Sequence, residues 1–162
     1  MKSVNHNVKH KMSLEVVIVP CLSYHLRSIE LRPEDIDEII ALGCSKEKAL
    51  WRSYKSSIMR NAALIDGKVA AVWGVGGEVL GGIGKPWLLT SAEVYKISPL
   101  RFARIYQQEV EKMLSIFPKL VNYCDTRYSA AIRLLDITGF KIDEPAPQGM
   151  NGMLYSRFEM ER

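Results

Sequence analysis

Few side chains in this sequence are able to move a proton or hold a charged ligand, and they are unevenly placed. Of three histidines, His6 and His10 fall in the first ten residues and only His25 lies in the body, so neither a base-and-orienter pair nor a histidine-based zinc site can be assembled. Cys21, Cys44 and Cys124 are odd in number, far apart and set among apolar neighbours, which predicts free thiols rather than a disulfide framework or a metal site. What remains is carboxylates, phenols and a few cations. Glu78 and Glu93 flank the segment Trp87 to Thr90 and could accept a proton directly or through water, although each also fits a solvent-facing loop acid. Tyr128 carries a phenol whose ordinary pKa of about 10 suits proton donation, and it equally fits a packed edge. Lys96, Arg101 and Arg104 gather where a long helix is predicted to begin, as anchors for an anion or as plain surface charges of an amphipathic face. The glycines at 76, 77, 81, 82 and 84 do not form a phosphate loop, because Gly84-Lys85-Pro86 leads into a strand and not into a helix; they read as a mobile hairpin tip.

The elements that must position these groups are legible from periodicity and punctuation. Val16 to Val19 read as a strand, with Pro20 to Arg27 continuing as extended or irregular chain. Pro33, followed by Glu34, Asp35 and Asp37, opens a helix with Ile36, Ile39, Ile40 and Leu42 as its buried face, and Gly43 ends it. A second helix is predicted from Lys46 to Met59 behind an N-cap at Ser45. Asp66-Gly67 then joins two antiparallel strands, Ala62 to Ile65 and Val69 to Val75, and Trp87 to Thr90 give a further strand. Ser98-Pro99 cap a long helix over 100–117. Leu120 to Cys124 form a strand, and Ala131, Leu134, Leu135 and Ile137 form one stripe of a short helix. Gly139 supplies its left-handed C-terminus, Phe140 anchors the next strand, and Met153 to Met160 make the last one.

With 162 residues, 48% hydrophobic and 25% charged, the chain is able to bury roughly two-thirds of its unfolded surface without a metal or disulfide staple. The net charge of +4 comes largely from Lys2, Lys9 and Lys11, in a first dozen residues that contain no acid. Without them 19 basic residues face 18 acidic ones, which argues against a broad nucleic-acid surface. Residues 1–12 are polar and aperiodic and predict a flexible arm ahead of one domain over 13–162. No apolar run is long enough to cross a bilayer and no signal-peptide core is visible, so a cytoplasmic protein is expected.

The predicted order, β, α, α, β, β, β, α, β, α, β, β, resembles that of the GNAT family of N-acetyltransferases. The resemblance implies an α/β fold with a mixed, mainly antiparallel sheet flanked by helices on both sides. From about residue 14 to residue 160 the chain is also similar to a family of short-tailed bacteriophage proteins called internal virion protein A. The matching stretches are Trp87-Leu88-Leu89-Thr90-Ser91-Ala92-Glu93-Val94-Tyr95, then Arg101 and Arg104, Asn122-Tyr123, and Ile132-Arg133-Leu134-Leu135 through Gly139. A member of the acetyltransferase family would hold acetyl-CoA and transfer its acyl group to a primary amine.

That resemblance implies cofactor contacts at Leu89, Thr90 and Ser91, where a strand N–H near Leu89 or Thr90 polarises the carbonyl, and at Lys96, Arg101 and Arg104, where the pyrophosphate meets the long helix. It makes Glu78 or Glu93 the base that deprotonates the amine and Tyr128 the acid that protonates the leaving thiolate. Two departures stand out. The family's Arg/Gln-x-x-Gly-x-Gly/Ala run is replaced by YKISPLRFAR, with Pro99 and no glycine. The family's usual Tyr position before Gly-Phe holds Leu135, while Tyr128 stands where an Asn is common. The phage resemblance implies a different role, a non-catalytic internal or ejected virion protein that binds a phage structural or host protein, located in the host cytoplasm or the virion.

Overall fold

A computed structural model describes residues 14–148 and 152–162; the expected arm over 1–12 lies outside them. The strands are β1 (Val16–Pro20), β2 (Ser57–Ile65), β3 (Lys68–Glu78), β4 (Ile83–Thr90), β5 (Lys119–Asp125), β6 (Lys141–Ile142), β7 (Ala146–Gln148) and β8 (Met153–Glu161). The helices are α1 (Ser23–Ser28), α2 (Pro33–Ala41), α3 (Lys46–Ser56), α4 (Pro99–Ile116) and α5 (Ser129–Thr138), with a short 3-10 helix over Ala92–Lys96. All strands join one sheet in the order β1-β2-β3-β4-β5-β8-β6, with β7 also paired to β8. Every pairing is antiparallel except β4 with β5. This is the mixed, mainly antiparallel α/β fold expected.

Local chemistry fixes the corners. At the β2–β3 turn Asp66 and Gly67 both take positive φ, 49° and 76°, as a two-residue hairpin of matching twist requires. Gly139 ends α5 at φ 95°, a left-handed C-terminus, and delivers Phe140 into the core. Phe140 is 4% exposed and packs edge to face on Phe158, ring centres 5.1 Å apart. Phe140→Ala should therefore cost about 3–5 kcal/mol in denaturant unfolding; a loss below about 1 kcal/mol would show that the ring is not an anchor.

Two apolar layers enclose the sheet unequally. On one face α4 and α5 pack Phe102, Tyr106, Val110, Met113 and Leu135 against Trp73, Val75, Leu120 and Phe158. On the other, α1 to α3 bring Leu26, Ile39 and Leu50 onto Ala62, Val72 and Leu89. That second cluster takes no residue from β5 or β8 among the described residues, so the helical layer stops at β4.

The structure differs from the local reading at several elements. Residues 23–28 form helix α1 where extended chain was expected, because the Leu22 N–H donates to His25 Nδ1 at 2.9 Å and closes the first turn; six residues are too few to show a periodic stripe. Helix α3 stops at Ser56, three residues early, and the chain continues directly as β2. The glycine-rich stretch is mostly strand: β3 runs to Glu78 and β4 starts at Ile83, leaving only residues 79–82 as the tip. On α2 Ile36 and Ile39 face inward, but Ile40 and Leu42 are 62% and 63% exposed.

Candidate functional site

Strands β4 and β5 run parallel and touch only at their first residues, Ile83 with Lys119 and Gly84 with Leu120. A Cβ on Gly84 would lie 2.7 Å from the Phe117 ring and 2.8 Å from Val75, so only glycine lets the two strands and the end of α4 meet there. Beyond that junction the ladder opens into a wedge. Asn122 holds its apex: Nδ2 donates to the Pro86 carbonyl at 2.8 Å, and Oδ1 accepts from the Tyr123 N–H at 2.9 Å. One side chain thus replaces a missing rung between the two strand edges.

The edge of β4 past this clasp can be read by alternation. Ser91 donates its N–H to the Ala70 carbonyl on β3 at 2.8 Å, so odd-numbered residues of β4 turn their backbone groups to β3. Leu88 and Thr90 then present theirs to the wedge. The Thr90 carbonyl is occupied by the Arg32 N–H at 3.1 Å, from the segment between α1 and α2. The Thr90 N–H turns to the Asp35 carboxylate, so the N–H and carbonyl of Leu88 are what is left on the opening. Of the two donors expected, Leu89 turns its backbone groups to the β3 ladder and Thr90 turns its N–H to Asp35, which leaves the neighbouring Leu88 as the donor on the wedge. Ser91 is engaged structurally: its hydroxyl donates to the Val69 carbonyl at 2.8 Å and accepts from the Glu93 N–H at 3.3 Å.

Across the mouth of the wedge lies α2. A cavity of about 240 Å³ is lined there by Arg32, Glu34, Asp35, Glu38, Tyr95, Arg127 and Tyr128 to Ala131. A larger groove of about 590 Å³ runs between the last turn of α2 and β5, β7 and β8. Among the described residues, Glu38 alone lines both. Its carboxyl is pushed up to about 7, first by burial and then by the neighbouring carboxylates of Asp35 and Asp125; the Asp125 N–H and Arg127 oppose that shift without cancelling it. The two neighbouring acids each have a cation. Arg32 Nε donates to Asp35 at 2.9 Å and Arg127 to Asp125 at 2.7 Å, while Glu38 forms no salt bridge among the described residues. For Asp35 burial wins and its pKa rises, although Arg32 and Thr90 donate to it. For Asp125 burial is outweighed by Arg127 and the carboxyl is held below its usual range.

The sequence-predicted residues are dispersed. Tyr128 lines the smaller cavity as the N-cap of α5, with its phenol pushed up, chiefly by burial. Its side chain caps nothing, so the N–H groups of Ser129 and Ala130 remain open at the cavity wall. Glu93 lies in the 3-10 helix, paired with Lys96 at 2.5 Å and with Lys68 at 3.9 Å; Lys96 and then Lys68 hold it below the usual carboxylate range. Glu78 pairs with Ile83 at the far end of β4 from Thr90, so the fold does not bring it to the wedge. At the start of α4, Ser98 Oγ accepts from the Arg101 N–H at 3.2 Å and Pro99 has no N–H to give, while Arg101 and Arg104 form no salt bridge among the described residues. Cys21 and Cys124 are poor nucleophiles: both thiols are free, but burial pushes them up to about 11 and about 12. His25 is buried with Nδ1 occupied by the Leu22 N–H.

No protein-family model matches the chain, and no curated protein matches its sequence. Solved structures do match. A GNAT-family acetyltransferase from Bacillus anthracis aligns with a TM-score of 0.66 at 7% identity, over 92% of this chain and 96% of its own. A Salmonella typhimurium protein solved with its cofactor acetyl-CoA aligns with a TM-score of 0.65 at 11% identity, over 90% and 93%. An aminoglycoside acetyltransferase in complex with coenzyme A aligns with a TM-score of 0.62 at 13% identity, over 91% and 95%. Likeness at such low identity establishes architecture, and the architecture of this chain is the GNAT acetyltransferase fold.

Proposed function

We propose that the protein is an acyl-CoA-dependent N-acyltransferase acting on a primary amine, with Glu38 as general base. The observation that carries the reading is the place of Glu38 at the meeting point of two cavities beside an open strand edge, in no salt bridge among the described residues and with its carboxyl pushed up to about 7 by burial. The base is thus Glu38, not Glu78 or Glu93.

The residues fit acetyl-CoA at one end more fully than at the other. The N–H and carbonyl of Leu88 can pair with an amide of an extended pantetheine chain, as a strand edge pairs with any peptide-like partner. At the phosphate end, the capped and proline-blocked start of α4 offers Leu100 as its one free first-turn N–H, so Arg101 and Arg104 must supply the charge, with the Ser129 and Ala130 N–H groups of α5 as further donors. Bound there, acetyl-CoA supplies an acyl group activated as a thioester. Above about pH 7 the Glu38 carboxylate takes the proton from an ammonium in the groove and frees its lone pair for attack. The Leu88 N–H, aimed into the wedge, can donate to an oxygen on which negative charge develops. Tyr128, whose raised pKa keeps its phenol protonated, holds a proton for a leaving thiolate. Calorimetric titration with acetyl-CoA at low ionic strength tests the reading: one-to-one binding is expected, and its absence would refute the assignment.

The start of α4 favours a second reading, a phage internal or ejected virion protein that keeps the fold as a scaffold for a phage structural or host protein in the host cytoplasm or the virion. Its basis is the motif resemblance together with the missing glycine cradle, since the matched structures described above are not virion proteins. A chain that binds no acetyl-CoA but retains its fold would select it.

A further inference from the structure

The groove that ends at Glu38 has a composition that selects its occupant. One wall is the end of α2, where Ile40 and Leu42 stand exposed; the other carries Tyr123, Met153 and Tyr155. At about 590 Å³ it has room for a compact organic molecule. Glu38 is the one charged side chain among the described lining residues.

The nearest cations are already taken. Arg127 is held by Asp125, and Arg157, which pairs with Tyr123 across β5 and β8, donates to Glu159 at 2.6 Å and to Asp143 at 3.3 Å. A carboxylate or phosphate on the occupant would therefore meet a like charge at Glu38 and find no cation among the described residues lining the groove. A second ammonium would find no second acid among the described residues lining the groove. One ammonium on an apolar or aromatic body is satisfied throughout: the charge by Glu38, the body by Ile40, Leu42 and Met153, and both by the Tyr123 and Tyr155 rings.

We infer that the acceptor is a small apolar primary monoamine, of the arylalkyl or alkyl type, and not an amino acid, a phosphorylated amine or a polyamine. The inference rests on the acyltransferase reading for its chemistry, in which the ammonium gives one proton to Glu38, the amine nitrogen bonds to the thioester carbonyl carbon, the carbon–sulfur bond breaks, and the second proton lost from nitrogen balances the one that Tyr128 gives to the leaving thiolate.

The test uses the full chain with phenethylamine, phenylalanine and spermidine. Amide formation with acetyl-CoA is read by mass spectrometry, and binding of each amine alone by saturation-transfer NMR. Phenethylamine should exceed the other two about 100-fold in kcat/KM, the size of one unrelieved like-charge or unpaired-charge contact. Leu42→Arg, at a solvent-facing position with little bearing on folding, should remove phenethylamine binding and raise phenylalanine relative to it by about tenfold or more. Tyr123→Ala should weaken phenethylamine binding without lowering the melting temperature by more than a few degrees. Equal turnover of phenylalanine or spermidine would overturn the inference and leave the acyltransferase reading intact. Phenethylamine that binds, is lost in Leu42→Arg, yet yields no amide would uphold the groove assignment and overturn the transfer reading. Absence of phenethylamine binding to the native chain would overturn the inference outright.

Discussion

Glu38→Gln should lower kcat roughly 100- to 10,000-fold, the range over which a positioned general base acts, and should erase the rise of activity with pH expected of the native protein across about 7. The glutamine keeps the shape of the side chain and loses only its ability to take a proton. The groups facing that carboxyl are Asp35 on its own helix, Asp125 and Arg127 from β5 and the turn after it, and the phenols of Tyr128 and Tyr155. The two carboxylates raise the Glu38 pKa after burial has done so, and Arg127 lowers it. A structural role alone would leave the pH profile of the residual activity in place; survival of the inflection near 7 would remove Glu38 from catalysis.

The same substitution has a stability consequence of opposite sign. A carboxyl whose folded-state pKa is raised from 4.5 to about 7 folds most favourably when protonated. Its stabilising contribution is complete below about 4.5, is lost as pH climbs, and is gone above about 7. Glu38→Gln should therefore be more stable than the native chain at pH 8 by about 1–3 kcal/mol, with the upper end discounted because the side chain is only partly buried. Thermal melts of both proteins at pH 5 and pH 8 isolate the Glu38 share from that of Asp35, which titrates in the same direction. A variant that gains activity-independent stability while losing turnover is the expected pattern for a group held ionisable at a site.

The second large effect concerns the phosphate end. Because Ser98 caps Arg101 and Pro99 lacks an N–H, binding of acetyl-CoA has to draw on the Arg101 and Arg104 guanidiniums. Lys96 is less available, held by Glu93 at 2.5 Å. Charge-based contacts at an exposed helix start are screened by salt, so affinity should fall steeply between low and physiological ionic strength. Arg101→Ala with Arg104→Ala should abolish detectable binding, since each charge-assisted hydrogen bond lost is worth about 1.5–3 kcal/mol. Tight binding that persists in the double variant and ignores salt would mean that backbone donors, those of Ser129 and Ala130 in the first place, hold the phosphates instead.

Much of the frame was written locally. Asp66-Gly67, Ser98-Pro99 and Gly139-Phe140 each dictate a turn, a cap or a helix end through backbone preferences that need no distant partner, and all three appear in the structure as the residues alone predict. The order of strands and helices follows, and with it the fold. The site does not follow, for a physical reason visible at three residues. Within α2, Glu34, Asp35 and Asp37 read as acids that open the helix, and Glu38 beside them carries no signal of its own; its carboxyl is pushed up to about 7 by burial and by Asp35 and Asp125 where α2 crosses the mouth of the wedge. Ile40 and Leu42 continue an apolar stripe and so read as core, yet the helical layer ends at β4 and leaves them as a groove wall. Asn122 looks like an ordinary polar residue in a strand until the parting of β4 and β5 gives its amide a carbonyl on one side and an N–H on the other. Sequence sets conformations that depend on near neighbours; desolvation, shared charge and an open strand edge are properties of surfaces brought together across the chain, and tertiary structure alone decides them.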